Sequence, residues 1–162
     1  MKSIFQKVQL LLVLGFTTTL LAQTQVEKNI KMYSTTWDNI VNKRQIDLIN
    51  AANFDANITM LSSPENIVGI ENFKAHYQNY LTGFSDITFT IVEIFGQGDK
   101  IVKHWNFKGK HTGTFFGIPP TGKSVDIEGV TIAKMKNGKI AQEQDFMDSM
   151  VFLQQLGIVS NP

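Results

Sequence analysis

GIPPTGKSVDIEGVTIAKMKNGKIAQEQDFM, residues Gly117 to Met147, admits two readings, and the choice between them decides the fold. Its first eight residues satisfy G-x-x-x-x-G-K-[ST], the pattern of a phosphate-binding loop. Such a loop joins a strand to a helix, so that successive backbone N–H groups and the helix N-terminus face the phosphates. Pro119 and Pro120 remove two of those donors and fix φ where the cradle needs freedom. The following residues, Val125 to Met135, alternate and are rich in β-branched side chains, which predicts a strand where a helix is required. Nucleotide binding is rejected, and the segment reads as two strands. Asn137–Gly138 between them is the strongest hairpin signal in the chain.

Further strand-like segments precede it: DITFTIVEIF from Asp86 and GDKIVKHWNFKGKHTGTFF from Gly98, separated by the Gly96–Gly98–Asp99 turn. Short turns imply antiparallel neighbours. Upstream, NITML, Asn57 to Leu61, reads as a short strand and Ile46 to Ala52 as a short helix. Val26, Ile30, Tyr33, Trp37 and Ile40 or Val41 recur at three- and four-residue steps, predicting an amphipathic helix to about Lys43. Ile70, Phe73, Tyr77 and Tyr80 or Leu81 repeat the pattern between Gly69 and Gly83. Helices followed by a run of strands predict an α+β domain, with helices covering one face of a curved antiparallel sheet and enclosing a pocket.

The 162 residues allow one ordinary domain. Residues 1–22 read as a cleavable export signal: Lys2 and Lys7 precede an apolar run that ends in Leu20 and Ala22. The domain then spans 23–162, with a periplasmic or secreted destination and no membrane attachment after cleavage. Loss of Lys2 and Lys7 leaves 13 basic against 14 acidic residues, a balance that implies no nucleic-acid partner. The absence of cysteine excludes disulfides, thiolate metal sites and a thiol nucleophile. Three scattered histidines give no metal spacing, and no G-x-S-x-G turn marks a serine nucleophile.

Strand alternation sorts the candidate residues. Val125, Ile127, Gly129, Thr131, Ala133 and Met135 form one mainly apolar face, taken as the inside, with Asp126, Glu128 and Lys134 outside. Ala141, Glu143, Asp145 and Met147 share a face, opposite Ile140, Gln142, Gln144 and Phe146. Trp105, Phe107, His111 and Phe115 share a parity, with Lys108 and Lys110 opposite. Trp37, Tyr77, Trp105, Phe107 and Phe115 are candidates for core and pocket wall, and Thr131 for a polar group facing the cavity. His111 lies among aromatics as a second polar group, with a structural role as its plain alternative. His76 and His104 read as solvent-facing.

VGIENFKAHYQNYLTGFSD, GDKIVKHW, GKHTGTFFGIPPTGKSV and NGKIAQEQDFMDSMVFLQQLG, in that order from Val68 to Gly157, resemble the SnoaL-like polyketide cyclases among the nuclear transport factor 2-like (NTF2-like) cone folds. The resemblance implies ring closure by intramolecular aldol chemistry without metal or organic cofactor. It implies that Asp145 acts as acid and base, with Asp148 as a further landmark carboxylate; Glu143, on the face of Asp145, and Thr131 are candidate ligand contacts from strand alternation. A small apolar or polyketide-like molecule and homodimerisation through the outer sheet face follow from the same likeness. The chain departs from it at Thr131, where the cyclases carry histidine, and at Gln144, where many carry tryptophan. Two functional readings stand: an enzyme of cyclase or isomerase type, and a non-catalytic binder that uses the same cavity. A structural dimer module is a third.

Overall fold

The computed structural model describes residues 25–160; the expected leader and its cleavage point lie outside them. Helix α1 covers 25–42 and buries Tyr33, Trp37, Ile40 and Val41, the stripe expected from its periodicity. A 3-10 turn, Ile46–Leu48, stands where a longer helix was expected. Strands β1 (Phe54–Met60) and β2 (Ile67–Val68) follow, then helix α2 (Ile70–Gly83). The two glycines bound α2 as expected: Gly69 enters at φ 88°, open to glycine and strained for other residues, and Gly83 ends it. Strands β3 (Phe84–Gln97), β4 (Lys100–His111), β5 (Ser124–Lys136) and β6 (Lys139–Met147) form a meander, closed by helix α3 (Ser149–Gln155). Asn137 and Gly138 both have positive φ, as the two-residue turn between β5 and β6 requires.

The six strands lie in the order β2-β1-β6-β5-β4-β3. All neighbours are antiparallel except β1 and β6, which run parallel, so the sheet is mixed. The reason is topological. The chain leaves β1, crosses through α2 to the far edge, and returns strand by strand until β6 meets β1 from the other side. Glu143 and Asp145 are thereby carried on a strand with a neighbour on each side. Helix α3 was not anticipated. It docks through buried Phe152 and Leu156, and Gln155 exchanges two hydrogen bonds with the Asp126 backbone at 2.6 and 2.9 Å.

The expected faces hold in β5, where Val125, Ile127, Thr131, Ala133 and Met135 are buried while Asp126, Glu128 and Lys134 are exposed. In β6 the parity changes. Met135 pairs with Ile140 but Lys134 pairs with Gln142, which leaves Ala141 as the extra residue of a bulge. Ile140 is therefore buried, on the same side as Glu143 and opposite to expectation. Beyond the bulge, Glu143, Asp145 and Met147 face inward against Ala133, Thr131 and Gly129. Among the described residues no helix is long and apolar enough to cross a membrane.

Candidate functional site

Between α1, α2 and the concave face of the sheet lies a cavity of about 70 Å³, walled by Trp37, Tyr77, Tyr80, Phe89, Trp105 and Phe107 with Lys103, Thr131 and Asp145 as its polar groups. Register brings the polar groups together: Lys103 pairs with Thr131, and Thr131 with Asp145, so the three form one row across β4, β5 and β6.

Glu143 lies behind this row, fully buried. Helix α1 presents Tyr33 and Trp37, one turn apart, to the same carboxylate oxygen. Tyr33 OH donates to Oε1 at 2.6 Å and Trp37 Nε1 at 2.8 Å. Helix α2 contributes Tyr77, whose hydroxyl lies 3.2 Å from Glu143 Oε2 and 3.1 Å from Asp145 Oδ2. On the opposite side Thr131 donates to Asp145 Oδ1 at 2.5 Å and accepts from Trp105 Nε1 at 3.0 Å.

Burial pushes the Glu143 carboxyl up to about 7; Asp145 adds to the rise, while Lys103 and the hydrogen bonds from Tyr33 and Trp37 oppose it. Burial also raises Tyr33 and Tyr77, with Glu143 and Asp145 reinforcing the effect, so both phenols remain donors at neutral pH. Lys103 is lowered by burial against the pull of the two carboxylates.

A phenol carries one proton, so Tyr77 cannot donate to both carboxylates at once. When Glu143 is protonated it can donate to the Tyr77 oxygen, which passes its own proton toward Asp145. When Asp145 is protonated the chain runs the other way. The arrangement links a buried carboxyl that titrates near neutrality to an exposed one at the cavity mouth.

Trp37, Tyr77, Trp105, Phe107, Thr131 and Asp145, all expected from sequence, line this cavity. Glu143 holds the line behind it. Three expected residues lie elsewhere. His111 is fully buried at the end of β4, beyond Gly109. Its Nδ1 takes the Thr121 N–H at 3.3 Å, and its ring packs on Phe84 at 5.3 Å, so it anchors the 112–123 loop and does not meet Asp145. Phe115 packs on Tyr80, Phe84 and Phe152, one layer behind the wall. Asp148 is exposed and caps α3, accepting the Val151 N–H at 2.9 Å. His76 is half-buried against Tyr77, Tyr80 and Phe116, contrary to the expected solvent position, and His104 is half-buried 3.5 Å from Glu128. The phosphate-loop reading fails as expected: strand β5 follows Lys123, and the loop closes a hairpin through the Phe115–Ile118 bridge.

Lys103 and Tyr33 were missed as polar members of the site. The signal for Lys103 was its shared parity with Trp105 and Phe107. Tyr33 stood on the apolar stripe of α1, and only the partner across the cavity reveals its hydroxyl as polar equipment.

Helices laid over the concave side of a curved mixed sheet, around one aromatic cavity with a polar row, define the NTF2-like cone class. Within that class the chain belongs to the SnoaL-like polyketide cyclase family, whose model matches residues 31–156 and so extends further toward the N-terminus than the sequence landmarks. Among solved structures it is similar to TsrD from Streptomyces laurentii, with 22% identity, a TM-score of 0.72, and 81% of this chain and 96% of that one covered. A proposed SnoaL-like polyketide cyclase from Jannaschia sp. CCS1 is 19% identical, with a TM-score of 0.71 over 85% and 95%. A protein with a ketosteroid isomerase-like fold from Catenulispora acidiphila is 16% identical, with a TM-score of 0.64 over 80% and 96%. At these identities the likeness carries the fold alone. No match was found among curated proteins.

Proposed function

We propose that this chain is an exported pocket protein that binds a small, apolar or polyketide-like carbonyl compound and performs enolate-type acid–base chemistry on it. The observation that carries the reading is the Tyr77 hydroxyl placed between Glu143 and Asp145 at the cavity wall. Asp145, at the mouth, removes a proton next to the ligand carbonyl. Tyr77 and Glu143 then relay the proton to and from the interior. The developing oxyanion is met by an N–H of the Lys103 amine, in the same cross-strand row. These groups supply every proton transfer that an aldol closure or double-bond shift needs, so the reading invokes no metal or organic cofactor.

The cavity, at about 70 Å³, is far below the roughly 300–1,000 Å³ of pockets that swallow drug-sized ligands. It accommodates one carbonyl-bearing end of a ligand, with the remainder at the mouth beside Asp145. Wild-type protein in heavy water should exchange deuterium into the α-carbon of a bound small ketone. Saturable binding without exchange would remove the catalytic part of the proposal.

A second reading, a non-catalytic binder, is favoured by one contact. The Thr131 hydroxyl donates to Asp145 Oδ1 at 2.5 Å, so that oxygen is already engaged by the cavity wall and is less free to take a ligand proton. Export rests on the lysine-flanked apolar run that ends at Ala22, and an exported mass beginning at Gln23 checks it. Homodimerisation rests on the outer face of the sheet, where Ile132 and Phe146 are exposed on the adjoining strands β5 and β6 and Phe95 on the edge strand β3. The reading assigns no nucleic-acid or membrane partner to the mature chain.

A further inference from the structure

Lys103 is the one buried lysine among the described residues. Its Nζ lies over the faces of Trp37 at 4.6 Å, Tyr33 at 5.1 Å and Phe89 at 5.3 Å, and its side chain lines the cavity. No carboxylate oxygen among the described residues comes within 4.0 Å of it, whereas Lys74, Lys108, Lys134 and Lys136 all have such partners on the surface. A lysine retained for structure is ordinarily paired, or snorkels its head group to water. This one extends from the first half of β4 into an aromatic cage, leaving its N–H donors to π faces and to whatever enters the cavity.

We propose that Lys103 is a nucleophilic amine that condenses with the carbonyl carbon of a small ketone or β-dicarbonyl held in this cavity. The inference rests on the carbonyl-pocket reading above and adds a covalent step to it. The nitrogen lone pair forms a C–N bond while the carbonyl π pair moves to oxygen, which takes a proton from the carboxyl–tyrosine chain. The resulting carbinolamine loses its C–O bond; the oxygen leaves as water with a second proton, and the nitrogen's two protons return to the chain. Amine and ketone thus become imine and water, with no change of oxidation state. Once it takes one proton back from the same carboxyl–tyrosine chain, the imine draws electrons from the neighbouring carbon and acidifies its C–H, within the row that also holds Asp145. Burial favours the free amine in Lys103, which the nucleophile requires.

Pentane-2,4-dione is the probe, because its lysine imine rearranges to a conjugated enaminone that absorbs in the near ultraviolet without any reductant. Binding is followed separately by tryptophan fluorescence, since both tryptophans of the chain, Trp37 and Trp105, line the cavity. The expected result is a saturable fluorescence change and one enaminone that peptide mapping places on Lys103, formed roughly ten-fold or more faster than on exposed lysines. Lys103→Met and Lys103→Arg should lose that adduct. The mapping uses wild-type protein, so it stands even where a variant misfolds. Saturable binding with Lys103 unmodified overturns the nucleophile and leaves the acid–base pocket intact. Neither binding nor adduct overturns both.

Discussion

The indole N–H of Trp105 donates to Thr131 Oγ1 at 3.0 Å, and this decides where the Thr131 proton goes. An indole can only donate, so the threonine oxygen accepts from Trp105 and turns its own hydrogen toward Asp145 Oδ1. The polar row is oriented from the aromatic wall inward.

Gly129 makes room for Trp105. A Cβ built there would lie 2.3 and 2.7 Å from the indole ring and 2.8 Å from the Phe146 carbonyl oxygen. Gly129→Ala must therefore displace the ring or the strand, at about 1–3 kcal/mol. Urea unfolding should show the loss, and the tryptophan emission should shift as Trp105 leaves Thr131. An unchanged spectrum and midpoint would mean that the ring is not seated as described.

Glu143 gives stability a pH dependence of definite sign. Its carboxyl titrates near 7 in the folded protein and near 4.5 when unfolded, so the native state holds a proton that unfolding releases between those values. Stability from this group is full below about pH 4.5 and is lost as pH rises through 7, by roughly 3 kcal/mol in the limit. Glu143→Gln keeps an acceptor for Tyr33 and Trp37 and removes the titration. Chemical denaturation at pH 5 and pH 8 should show wild type losing stability relative to the variant, and parallel behaviour would contradict the assignment.

Asp148 is a helix cap, so Asp148→Ala should cost about 0.5–2 kcal/mol without altering ligand affinity. Calorimetric titration of a small ketone into both proteins separates this from a binding role, which would reduce affinity at unchanged fold.

The outer face supplies a test of assembly. Ile132 and Phe146 stand exposed on adjacent strands, and Phe146→Glu or Ile132→Lys should turn a dimer into a monomer in sedimentation. A monomeric wild type, or a dimer that ignores both changes, would count against the proposed interface.

The parts of the fold that depend on local pattern were legible. Gly69 and Gly83 bracket α2, and the alternation in β5 marks its buried face, because helix punctuation and pleat are short-range properties. What depends on pairing was not. The parallel β1–β6 contact arises only when the meander closes on the first strand, and the Ala141 bulge exists only relative to β5. For the site, the shared face of Glu143 and Asp145 was visible two residues apart, as was Thr131 opposite. His111 had the right face but the wrong distance along its strand, which parity does not encode. Lys103 had both, yet a lysine in an alternating strand reads as outward until the aromatic cage over it is seen.

In the proposed chemistry Asp145 takes a proton directly from the bound ligand and passes it on through Tyr77. Asp145→Asn preserves shape and can still accept from Thr131, but it cannot take a proton. The measurement is deuterium uptake at the α-carbon of a small ketone, alongside the ketone's affinity, in wild type and Asp145→Asn. Affinity should be unchanged in Asp145→Asn, with exchange reduced by roughly two to four orders of magnitude. Equal exchange rates in the two proteins, or a loss confined to affinity, would contradict that chemistry.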